Sequence, residues 1–254
     1  MPIADHRLLT VLDEAADAIA SSLEGVTDRG LVGEGGAHAG QHHSDVVADA
    51  AALPVLLGHG LGVLSEESGL SEGDREVLVV LDPLDGSTNY RQGIPWYAAS
   101  LAAVDGEGAL AAVVVNLAIG TRYRAVRDQG AERDGRSIGP SRATTLGDAI
   151  VGLSGHAGRS LGWRQYRALG AAALDLCAVA DGTLDGYIDC SRNAHGPWDY
   201  LGAALVGQEA GAHVVDLLGR PLATRDPAAR RTMVAGATPE LCQAALEARR
   251  SLVP

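Results

Sequence analysis

The chain has 254 residues, 46% of them hydrophobic, which suffices for one large α/β core or two modest ones. Its 32 acids against 20 basic residues leave a net charge of −12, so nucleic acid and anionic membrane are not expected partners, because their phosphates would be repelled. All 20 basic residues are arginine, which excludes Schiff-base lysine catalysis and a Walker-type phosphate lysine. Cys177, Cys190 and Cys242 are far apart and outside any C-x-x-C spacing, so neither a disulfide framework nor a thiolate metal site is predicted. The N-terminal stretch carries acids through its apolar run and does not read as a secretory signal. Runs such as "ALAAVVVNLAI" are too short to span a bilayer, and a soluble cytoplasmic protein is expected.

Residues 5 to 23 place Leu8, Leu9, Leu12, Ala15, Ala16 and Ile19 at helical spacing and predict an amphipathic first helix. The next stretch, "EGVTDRGLVGEGGAHAGQHHSD", is glycine-rich and aperiodic and reads as a loop. Its His38, His42 and His43 are therefore better explained as solvated loop residues than as a zinc cluster. A short helix is predicted around 46 to 57. Then "LGVLSEE", "EVLVVLD", "WYAASLAAVD", "GALAAVVVNLA" and "TRYRAVRD" read as successive strands with "DGEG" and "RDGR" as turns, giving a largely antiparallel sheet. After about residue 140 the pattern becomes α/β. "AIVGLS", "LDGYID", "AHVVD" and "RTMVAG" read as strands, "GAAALDLCAVADG" and "WDYLGAALVGQEAG" as glycine-closed helices, and "TPELCQAALEARRS" as a last helix with Thr238 at N-cap and Pro239 at N1. The expected domains are thus 1–140, an α+β half, and 141–254, an α/β half.

Three acidic pieces stand out. In "EVLVVLDPLDGSTNY" the proline has no N–H to give a ladder, so the strand is expected to stop at Asp82. Asp85 then falls at a helix N-cap, and Gly86, Ser87 and Thr88 follow with unpaired backbone N–H groups, an anion pocket beside two carboxylates. "LSEESG" supplies Glu66 and Glu67 at the end of the preceding strand, and "GPWDY" places Asp199 at the start of a later helix. Each piece alone has a plain explanation, a capped turn, a solvated pair or a helix cap. Together they suit a hard cation bound by oxygen ligands.

These segments, "SEES", "DPLDGSTNY" and "WDYLGAALVGQEAG", resemble the signatures of the inositol monophosphatase family, within the Mg²⁺-dependent, lithium-sensitive phosphatases. The resemblance runs from the first helix to "VAGATPELCQAAL". It implies a layered αβαβα sandwich of the inositol monophosphatase and fructose-1,6-bisphosphatase type. It also implies a homodimer and hydrolysis of a small polyol or sugar monophosphate by water activated at two or three Mg²⁺ ions. Carried over by residue, it implies metal ligands Glu66, Asp82, the Leu84 carbonyl, Asp85 and Asp199, with Glu66, Asp85 and Ser87 catalytic. Gly86, Ser87 and Thr88 would hold phosphate, Ala172 would lie near the substrate, and Asp189 would contact its hydroxyls.

The family's upstream D-x-V-T-x-x-D segment matches "SDVVADAAA" poorly: Asp45 aligns with the first aspartate and Ala51 with the second, so a ligand to a weakly held metal is expected to be missing. Asp49 and Asp45 are the candidates to replace it. Alternatives within the class are phosphatases of 3′-phosphoadenosine 5′-phosphate, histidinol phosphate or fructose 1,6-bisphosphate. Another class is a phosphate-metabolite binder with weak or lost turnover.

Overall fold

In a computed structural model, which describes residues 5–26 and 42–252, the elements run in the expected α+β then α/β order. Helices α1 (Asp5–Ser22) and α2 (His43–Gly58) precede strands β1 (Gly62–Ser65), β2 (Gly69–Ser71) and β3 (Leu78–Asp85). A short helix α3 (Ser87–Gln92) leads into β4 (Ala98–Val104), β5 (Ala109–Asn116), β6 (Arg122–Val126), β7 (Gly130–Arg133) and β8 (Arg136–Ser137). The second half contributes β9 (Ile150–Ser154), β10 (Gln165–Arg167), α4 (Ala172–Ala180), β11 (Gly186–Asp189), α5 (Pro197–Ala210), β12 (His213–Asp216), β13 (Met233–Gly236) and α6 (Pro239–Arg250).

Two mixed sheets form: eight strands in the order β2-β1-β3-β4-β5-β6-β7-β8, and five in the order β10-β9-β11-β13-β12. The first is antiparallel except for the β1–β3 pair. Side chains alternate across a strand, so "LVVL" in β3 sends Val79 and Leu81 toward α1 and α2, and Leu78 and Val80 toward α4 and α5. A strand covered on both faces reads as one apolar run rather than an alternation. A third core lies between the second sheet and α6, where Val151, Ile188 and Val234 meet Leu241 and Ala245. The layers are therefore helix, sheet, helix, sheet, helix, as the sequence leads one to expect. Gly202 sets how closely α5 lies on the first sheet, because a Cβ there would come within 3.0 Å of Ser100 Oγ.

Three local expectations are corrected. Helix α2 starts at His43, inside the presumed loop, because the Asp45 carboxylate accepts the His42 backbone N–H at 3.1 Å and closes a capping turn; His38 lies outside the described residues. Strand β3 does not stop at Asp82: Asp82 pairs with Ser100 and Asp85 with Ala98, so one extra residue is bulged out and the proline sits where no ladder bond is needed. Asp85 is consequently not an N-cap; Gly86, with φ 86°, holds that place. Strands β2, β7, β8 and β10, of two to four residues, were not expected.

Candidate metal centre

Glu66 is the residue after β1, its N–H bonded to Leu81 O at 3.0 Å, and Asp82 lies on the neighbouring β3. The parallel pairing of β1 with β3 thus brings both carboxylates to one sheet edge. Asp199 comes from the next layer, as the third residue of α5, where Pro197 starts the helix and the Asp199 carboxylate accepts the Gly196 N–H at 2.6 Å. One oxygen each from Glu66, Asp82 and Asp199 lies within 4.8 Å of the others. Among the described residues neither Glu66 nor Asp82 is ion-paired with a basic side chain, and three carboxylate oxygens so close together fit a hard divalent cation. The bulge that carries Leu84 also turns Asp85 toward α4, where its Oδ2 accepts the Ala173 N–H at 2.7 Å.

The electrostatics agree. Loss of hydration and then the charge of Asp199 push Glu66 up to about 8, although the side chain remains accessible at the cleft rim. Burial drives Asp82 well above the usual carboxylate range, with Glu66, Asp85 and Asp199 adding to it. Asp85 rises to about 7 by burial and the charge of Asp199, held back by the Ala173 N–H. Carboxylates that resist ionisation together mark a site where a positive charge is wanted.

The remaining predicted residues are distributed as follows. Gly86, Ser87 and Thr88 open α3, and Asn89 Nδ2 bridges Trp96 O and Leu169 O at 2.7 Å each, joining α3 to the chain that leads into α4. Ala172 is the first residue of α4 and is buried. Asp189 is fully buried at the end of β11; its Oδ1 accepts the Ser191 N–H at 2.8 Å and the Ser191 hydroxyl. Asp45 is buried near Glu66, whose ionisation it opposes, while Asp49, one turn on, accepts the Ser65 hydroxyl at 2.5 Å. Of the two upstream acids, Asp45 adds to the charge opposing ionisation of Glu66, and Asp49 is bonded to Ser65, the residue before Glu66.

One buried and one half-buried group were not singled out in the sequence. Asp175, raised to about 8 chiefly by burial, accepts the Trp96 Nε1–H at 2.9 Å. His195 stands between two acids, Nδ1 3.4 Å from Asp199 and Nε2 3.6 Å from Asp189. Burial opposes its charge, but Asp199, Asp189 and Asp85 outweigh it and raise the ring above its ordinary value. Its place four residues before Asp199 was the available signal.

The model of the inositol monophosphatase family matches residues 8–253. The chain belongs to that family. It is 34% identical over 211 residues, 81% of each chain, to a fructose-1,6-bisphosphatase/inositol-1-monophosphatase of Thermococcus kodakarensis. To the like-named protein of Archaeoglobus fulgidus it is 36% identical over 188 residues, 72% of each chain. The crystal structure of the extragenic suppressor protein suhB from Bartonella henselae superposes with a TM-score of 0.79 at 26% identity, covering 97% of this chain and 98% of that one. As a member of the family the protein is a phosphoric monoester hydrolase acting on sugar or polyol phosphates. Among the described residues no helix is long and apolar enough to cross a membrane.

Proposed function

We propose that this protein hydrolyses a small polyol or sugar monophosphate of the inositol 1-phosphate kind. Mg²⁺ would be held by Glu66, Asp82, the Leu84 carbonyl, Asp85 and Asp199, with Asp45 at the position of an additional, weaker ion. The observation that carries the proposal is the cluster of three carboxylate oxygens within 4.8 Å, of which only Asp199 has a basic neighbour, His195, among the described residues. When bound, the metal supplies charge neutralisation and a water acidic enough to attack phosphorus. The chain's own groups do the rest. Backbone N–H groups of Gly86, Ser87 and Thr88 receive the phosphate oxygens, and the Ser87 hydroxyl orients the water. Asp85 is kept from rotating by its bond to Ala173, so the ligand set is fixed before substrate arrives.

The leaving alcohol would be read by the 155–168 segment, along which a cavity of about 420 Å³ is lined by His156, Arg159, Trp163 and Tyr166. The proposal extends to a homodimer in a reducing cytoplasm, which suits three free cysteines. Phosphate release across a panel of monophosphates, titrated with Mg²⁺, tests it. Activity should rise through the millimolar range and vanish with chelator. In Asp85→Asn it should fall by at least about a hundredfold, as the loss of several kcal/mol of charge stabilisation requires. Ligand binding without release above background defeats the proposal.

A further inference from the structure

Asp199 reaches the centre from the one element that belongs to a different layer, and what fixes its carboxylate is a chain of buried and half-buried groups behind it. Among the described residues, the contacts of Asp199 fall on a single oxygen: Oδ2 accepts the Gly196 N–H at 2.6 Å and lies 3.4 Å from His195 Nδ1. Among the described residues Oδ1 has no protein donor. His195 is itself immobilised at both ends. Its backbone forms a two-bond antiparallel bridge with Arg231, at 3.3 and 2.9 Å. The far ring nitrogen, Nε2, faces Asp189 Oδ2 at 3.6 Å and the Tyr187 hydroxyl at 3.4 Å. Asp189 Oδ2 is a fully buried oxygen that has no hydrogen-bond partner among the described residues. The rest of Asp189 is pinned: Oδ1 by Ser191, and its backbone carbonyl by the buried Arg249, whose Nε donates at 2.5 Å.

A buried carboxylate oxygen left unsatisfied is unfavourable unless a neighbouring positive or donating group faces it, and the ring of His195 is what faces it here. The arrangement, acid to imidazole to ligand acid, has the logic by which groups behind a metal ligand orient it and set its basicity. We propose that His195 is a positioning residue of the metal centre: held by Asp189 and the Arg231 bridge, it occupies Oδ2 of Asp199 and turns Oδ1 toward the cation. This rests on the hydrolase reading above, and it also reassigns Asp189 from the open cleft to the anchor of this chain.

Calorimetric titration of Mn²⁺ into the metal-free parent, His195→Ala, His195→Gln and Asp189→Asn tests it, with phosphate release measured in parallel. His195→Ala should bind Mn²⁺ about 10- to 100-fold more weakly. His195→Gln, which keeps a donor for Asp199, should recover part of that loss. The apparent constant for the metal should move while kcat at saturating metal stays near the parent's, a split that general destabilisation does not produce. Parent-like affinity in folded His195→Ala overturns the positioning role and leaves the hydrolase reading standing. Should that variant fail to fold, parent-like affinity in Asp189→Asn, which removes the charge that anchors the ring, overturns it equally. A parent that binds no Mn²⁺ overturns both readings.

Discussion

Among the described residues, Asp175 is the carboxylate outside the metal cluster whose chemistry the fold alters most. It sits in the first turn of α4 with 1% of its surface exposed, and burial, opposed by the Trp96 hydrogen bond, holds it at about 8. Its folded value lies above its unfolded one, so its contribution to stability is fully present below the ordinary carboxylate range near 3.8 and is lost as pH rises through about 8. Within that window such a group tilts stability by about 1.4 kcal/mol per pH unit. Asp175→Asn keeps an oxygen for the Trp96 N–H and removes the titration. Denaturant unfolding between about pH 5 and pH 7 should show the variant's stability falling less steeply than the parent's by about 1 kcal/mol per pH unit. Equal slopes would mean that the proton is not held there. At this scale the sequence was legible where a residue type and its spacing pointed the same way, as in Glu66, Asp82 and Asp199, which do meet. At Asp45 and Asp49 it left two candidates, because residues four apart on a helix share one face. The helix begins at His43; Asp45 opposes the ionisation of Glu66, and Asp49 accepts the hydroxyl of Ser65, the residue before Glu66.

At the scale of elements, α3 has six residues, too few for a helix to persist on its own hydrogen bonds. What holds it is Asn89, 8% exposed, with its amide nitrogen donating to two carbonyls from separate parts of the chain, Trp96 and Leu169. Asn89→Ala leaves both carbonyls short of a donor in a confined place. It should lower stability by about 2 to 4 kcal/mol, since each buried unsatisfied group costs about 1 to 3. Chemical denaturation checks the loss, and a change under about 0.5 kcal/mol would show that α3 is supported otherwise. Elements with strong periodicity or caps were readable in advance: α1 from its apolar stripe, α6 from Thr238, whose hydroxyl accepts the Leu241 N–H at 3.2 Å. The four short strands were not, because two to four residues carry too little pattern to separate a strand from a turn. The proline after Asp82 was read by a correct rule applied to the wrong geometry: it bars ladder pairing, and a bulge removes the need for it.

At the scale of the whole molecule, the proposed metal centre is the place where layers meet. Glu66 and Asp82 belong to the first sheet, Asp199 to the helical layer beneath it, and Asp85 is bonded across to α4. Their mutual repulsion therefore works against the docking of α4 and α5 on that sheet, and a bound cation reverses its sign. Glu66 at about 8 and Asp85 at about 7 both lie above their ordinary values. The metal-free protein accordingly loses stability as pH climbs from the normal carboxylate range through 7 to 8. A cation competes with those protons, so its hold strengthens over the same interval. Thermal unfolding with Mg²⁺ and with chelator should diverge as pH rises from about 5 to about 8. Near the upper end the gap should approach about 2.7 kcal/mol when the cation is about a hundredfold above its Kd. Asp199→Asn should remove most of that gap while leaving the chelated protein at least as stable as the parent, because one repelling charge is gone. A gap that is independent of pH, or one that survives Asp199→Asn, would place the stabilising ion elsewhere on this acidic surface.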